Sequence, residues 1–244
     1  MSVDIKCSYE TYNFDSIGET YHCDVQIDPD ITSEDSAVIS KASGSHECLK
    51  TDDDVHGFYV DGKTVKVFPR GLEKIFKNLK LIAIHYGRIE KIHQSDLNPF
   101  SQLESLNLAY NDIEVLEKGL FDFNPELKSL SFWNNKISQI HPNVFDHLTK
   151  LVTLRLTDNH CIDIKADKSK YEVKGVIKQV KLNCQGSVSI VIESTTEESN
   201  ERIDDSDEFY SETYHEVDSE VGKAAHSSIH IMLVILIAVG YFFI

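Results

Sequence analysis

The sequence lacks the common signatures of an enzyme. It contains no GxSxG nucleophile elbow, no HExxH helix and no GxxxxGK[ST] phosphate loop, which removes the usual routes to acyl transfer, metal-assisted hydrolysis and nucleotide chemistry. None of the five cysteines, Cys7, Cys23, Cys48, Cys161 and Cys184, forms a CxxC pair, and no histidine stands near two of them in a zinc pattern. Neither a metal nor any other cofactor is therefore expected. The spacing of a calcium loop is missing too, so Asp52-Asp53-Asp54 reads as a solvated loop. No Asn-x-Ser/Thr glycosylation acceptor occurs; Asn159-His160-Cys161 is a rare variant of one.

Basic residues are scarce. With 24 Lys and Arg against 40 Asp and Glu, the net charge is −16, which argues against nucleic acid or an acidic membrane surface as partner. The deficit is local. Residues 193–220 hold twelve acids and one base, Arg202, so they carry −11 of the −16 and leave −5 for the rest.

Residues 1–6 have no apolar core, so no secretory leader is visible. A long apolar run comes only at 231–244, IMLVILIAVGYFFI. At ~1.5 Å per helical residue it spans about 21 Å, short of the ~30 Å hydrocarbon layer. Following a polar spacer and small residues, it resembles a signal for a glycosylphosphatidylinositol anchor. Gly222 is then the expected lipid-attachment residue, with Ser219 or the Ala224-Ala225 pair as other candidates. An uncleaved membrane tail is the competing reading. On the lipid reading, the true N-terminus and its leader are expected upstream, or the start is misassigned.

What is present is a repeat with a strict period of 24. Positions 1, 4 and 6 hold Val55, Phe58, Val60; Leu79, Ile82, Ile84; Leu103, Leu106, Leu108; Leu127, Leu130, Phe132; and Leu151, Leu154, Leu156. Position 9 holds Lys63, Gly87, Asn111, Asn135 and Asn159. Five registers without a slip are hard to obtain by chance. Alternation places positions 4 and 6 on one strand face and positions 3, 5 and 7 on the other. One coil cannot bury its apolar side alone, so neighbours must stack. A position-9 Asn turned inward would satisfy backbone groups of the turn. Lys63 and Gly87 lack that amide, so the first two coils are expected to be looser.

LESLNLAYNDIEVL and LKSLSFWNNKISQI, with Phe121, Phe145 and Leu148 at later positions, resemble the leucine-rich-repeat family over about residues 55–165. The resemblance implies an α/β repeat solenoid: a horseshoe with a parallel β-sheet on its concave face and a cap at each end. Residues 1–54 are then the N-terminal cap, and 55–165 are five repeats starting at 55, 79, 103, 127 and 151. The C-terminal cap covers 166–192, an acidic stalk 193–228 and the hydrophobic tail 229–244. A stalk is favoured over a docking segment built on sulfated Tyr210 and Tyr214.

In the N-terminal cap, CSYETYNFDSIGETYHCDV alternates around a turn near Asp15, which sets Cys7 opposite Cys23 in a disulfide-bonded hairpin. In the C-terminal cap, Val173, Val176, Ile177 and Val180 have helical spacing and predict a helix over the last coil, returning Cys184 to Cys161. Cys48 is left over, as a buried free thiol or as a competitor for another pairing.

The register nominates the partner-binding residues. Tyr86, Tyr110 and Trp133 fall on one rim of the concave face on successive coils, with His85 beside them and Tyr59, Asn134 and Arg155 on the same side. Exposed aromatics among small polar neighbours are typical interface anchors; rings that merely stack along the ladder are the alternative. His85 and Asp61 occupy the same position on adjacent coils, a cross-strand pair more than a catalytic dyad. The resemblance implies a non-catalytic, cell-surface or secreted protein that binds a protein ligand or co-receptor through this face, held at the plasma membrane by its tail. An intracellular, membrane-tethered scaffold with reduced cysteines is the alternative.

Overall fold

The computed structural model describes residues 2–15 and 17–185. The expected stalk, tail and attachment residue Gly222, with Tyr210, Tyr214 and the end of the C-terminal cap, lie outside the described residues. Among those described, no helix is long and apolar enough to cross a membrane.

The repeats build a parallel ladder. Strands β4 (Gly57–Asp61), β5 (Leu81–His85), β6 (Ser105–Asn107), β8 (Ser129–Ser131) and β10 (Thr153–Arg155) start at position 3 of each coil. Their pairing never shifts: Phe58 faces Ile82, Ile82 faces Leu106, Leu106 faces Leu130 and Leu130 faces Leu154. Those five side chains are buried, as are Val60, Ile84, Leu108, Phe132 and Leu156 at position 6. Two one-turn helices, α1 (Leu72–Ile75) and α2 (Gln94–Leu97), and the two-residue strands β7 (Val115–Leu116) and β9 (Gln139–Ile140) carry the chain back outside the sheet. Phe121 and Phe145 stack across adjacent coils at 5.9 Å between centroids and fill the space behind the strands.

An asparagine ladder closes the turns. Asn135 Nδ2 donates to the carbonyls of Phe132 and Trp133 in its own coil and of Leu108 in the coil before, while its Oδ1 accepts from Ile113 N–H. Asn111 and Asn159 repeat the pattern at the same offsets. Each amide thus serves the preceding coil as well as its own. The turn N–H groups of the first two coils therefore find acceptors even though Lys63 and Gly87 supply no amide. Ile89 N–H, in the coil of Gly87, is accepted by Asn111 of the next coil. One coil earlier, Val65 N–H is accepted by the Gly87 carbonyl at 3.1 Å. A Cβ at Gly87 would stand 3.0 Å from the Val65 carbonyl oxygen, so glycine lets the two backbones come this close without crowding.

Asn124 shows a departure the repeat pattern hides. It occupies an apolar position of its coil, is fully buried, and donates to the carbonyls of Leu97 and Phe100.

The N-terminal cap extends the same sheet. Strands β1 (Ser2–Phe14) and β2 (Gly18–Val25) form an antiparallel hairpin, and β2 runs parallel to β4. β3 (Val38–Ser43) pairs parallel with β1 at the far edge. Cys7 and Cys23 are joined, their Cα atoms 5.1 Å apart. They are not directly opposite, as a turn near Asp15 would require: Cys23 faces Tyr9 and Cys7 faces Val25. The hairpin closes between Phe14 and Gly18, one residue later, and a one-residue move of the turn displaces the partner strand by two. Cys48 is neither buried nor paired; it is free and exposed.

At the other end β11 (Lys165–Ala166) pairs antiparallel with β10. Helix α3 (Lys170–Asn183) follows, its N-terminus capped by the Ser169 side chain accepting from Glu172 N–H. Val173, Val176 and Val180 are buried against the last coil. Cys184 then joins Cys161.

Candidate functional site

The strand-ending corner of every coil has one unusual feature. Position 8 is left-handed in all five coils, with φ of 61° at Gly62, 54° at Tyr86, 58° at Tyr110, 53° at Asn134 and 56° at Asp158. Gly, Asn and Asp tolerate this region. Tyrosine does so at a cost of about 1–2 kcal/mol, because its Cβ crowds the following carbonyl. Strained residues of this kind cluster at ligand clamps.

Those tyrosines stack. The Tyr86 and Tyr110 rings lie 4.3 Å apart and 15° from parallel, and Trp133 leans onto Tyr110 at 4.7 Å. Trp133 Nε1 donates to Asp158 Oδ2 at 2.5 Å, which extends the row onto the fifth coil. Loss of solvent, then the bond with Tyr86 and the charge of Asp158, hold the Tyr110 phenol above its ordinary range. Tyr86 keeps 54% and Trp133 38% of their surface in solvent. Asn134 is exposed next to Trp133. These four candidates form one continuous ridge.

The other three lie apart from it. Tyr59 sits between His22 and His85, edge to face with both, and His22 in turn meets Phe14. Arg155 Nε donates to Asp167 Oδ1 at 2.6 Å, beyond the end of the aromatic row. Between these groups runs a trough of about 180 Å³. Its floor is not the open ribbon that the register implies, because Ser105, Ser129, Ser131, Thr153, Leu81 and Ala83 are all buried. Small side chains on closely spaced strands are walled in by Tyr59, His85, Asn107 and Arg155. Phe14 and Asp15 close one end and Lys168 the other. The repeat pattern could not supply those three, since they come from the caps. The length of the hairpin arms was the available signal.

His85 Nε2 is buried in this trough without a partner. Burial, the larger effect, lowers its pKa from the ordinary 6.5, while a hydrogen bond with Asn107 and the charge of Asp61 raise it. Asp61 and His85 are in register but share no hydrogen bond or ion pair among the described residues. No cluster of metal-ligating side chains occurs among the described residues. The neutral imidazole is the form favoured by the fold, so the unfolded chain takes up the proton first as pH falls. Stability is therefore expected to decline below about pH 6.5, and to decline less steeply in His85→Gln. Urea titrations of both chains between pH 7.5 and 5.5 check this; parallel curves would remove His85 as the source.

Residues 101–160 match the family model described as leucine rich repeat. No curated protein matches the chain.

Proposed function

We propose, from the premise that this chain is a leucine-rich-repeat protein, that it binds another protein through the ridge of Tyr86, Tyr110, Trp133 and Asn134 on its concave side. The observation that carries the reading is the pair of stacked tyrosines held at left-handed corners, Tyr86 exposed and Tyr110 half-buried beneath it. Aromatic side chains give large contact area at small entropic cost, and the sheet beneath them is already ordered. Tyr59, His85 and Arg155, which line the trough with the hairpin tip, would supply a second contact area beside the ridge.

The reading extends to a cell-surface or secreted co-receptor, adhesion or immune-recognition role, tethered through the C-terminal tail and lipidated at Gly222. Two joined cysteine pairs, one in the N-terminal cap and one tying the C-terminal cap to the last coil, support an oxidising setting. The exposed, unpaired Cys48 favours the second reading, a scaffold in a reducing compartment. The ridge is tested by exchanging Tyr86 for Asn in the full chain and reading affinity and stability side by side.

A further inference from the structure

We infer that the outward face of α3 is a second recognition surface, and that its ligand is a linear sulfated polysaccharide. Residues 165–185 hold six lysines against two acids, a local excess of four positive charges in a chain of net −16. At physiological salt, charges beyond ~8 Å are largely screened, so the near neighbours of the helix weigh more than the net charge of the whole chain.

The lysines are also aligned. At 3.6 residues per turn, Lys170, Lys174, Lys178 and Lys181 fall within roughly 80° of arc and extend along about 16 Å of helix. Val173, Val176 and Val180 point the other way, into the last coil. Lys181 is bound to Asp146 at 2.7 Å. Lys168, Lys170, Lys174 and Lys178 take part in no ion pair among the described residues. Tyr171 stands beside the row with 86% of its surface exposed, and Leu182 with 67%.

A row of ammonium groups matches a chain of sulfates, whose condensed counterions are released on contact. The Tyr171 ring offers a flat face to a sugar ring. An anionic bilayer fits less well. A helix lying in a bilayer needs its whole apolar face for insertion, and here that face is turned into the solenoid.

Heparin is the probe, titrated into the full chain at several salt concentrations. Binding is expected at physiological salt, with desulfated heparin inactive. The double variant Lys174→Glu/Lys178→Glu should bind about tenfold or more weakly and lower the salt slope by about two. Lys91→Glu/Lys118→Glu makes the same charge change at exposed lysines elsewhere and should stay within about twofold, since screened charges act locally. Equal weakening by both variants, binding of desulfated heparin, or no binding at all would overturn the proposal. So would retention on phosphatidylserine vesicles with heparin ignored. Tyr86→Asn should leave heparin binding intact, so failure here and failure of the concave ridge are distinguishable.

Discussion

Tyr86→Asn is expected to weaken partner binding by about tenfold or more while leaving stability within about 1 kcal/mol of the parent chain. Two opposite effects set the second figure. The exchange relieves about 1–2 kcal/mol of left-handed backbone strain and gives up one stacked aromatic contact of about 0.5–1.5 kcal/mol. The same corner already holds Asn134 and Asp158 in later coils, at nearly the same φ, so the new residue meets a conformation it adopts readily. The first figure follows from loss of an exposed ring at the interface, where truncated hot spots cost about 2 kcal/mol or more. Melting and affinity measured on one preparation check both. A variant that loses well over 1 kcal/mol of stability but, while still folded, binds its partner as tightly as the parent would make the ridge structural.

Asn135→Ala should do the reverse and strike stability hardest. The exchange leaves Ile113 N–H with no acceptor inside the turn and removes three amide donations to carbonyls. An orphaned buried donor costs about 1–3 kcal/mol and each lost bond about 0.5–1.5 kcal/mol. The Leu108 and Phe132 carbonyls each retain a second asparagine donor, which limits the total to about 3–5 kcal/mol. Because the amide serves two coils, the loss should appear as reduced cooperativity as well as a lower urea midpoint. A change below about 1 kcal/mol would show that the ladder is not what holds the turns.

The period was legible because every coil solves the same burial problem with the same positions, from Phe58 to Leu154. The left-handed corner was legible in part. Gly62, Asn134 and Asp158 at position 8 are the residues such a corner favours, and the two tyrosines between them obscured the pattern. Gly87 could not be read, since a backbone carbonyl standing in for a side-chain amide leaves no residue-type signal. Phe14 and Asp15 were hidden for another reason. Where a hairpin tip lies depends on the turn centre, and a one-residue error there moves its partner strand by two. The outward lysines of α3 were visible in the spacing that gave its buried valines, but the whole-chain charge of −16 pointed away from them.

The chain contains a single tryptophan, so emission quenching reads the ridge alone. In the free protein, acrylamide should quench Trp133 readily, and a bound partner should shield it. Emission already inaccessible in the free chain, or quenching unchanged when the partner is bound, would place the recognition surface somewhere other than this row of rings.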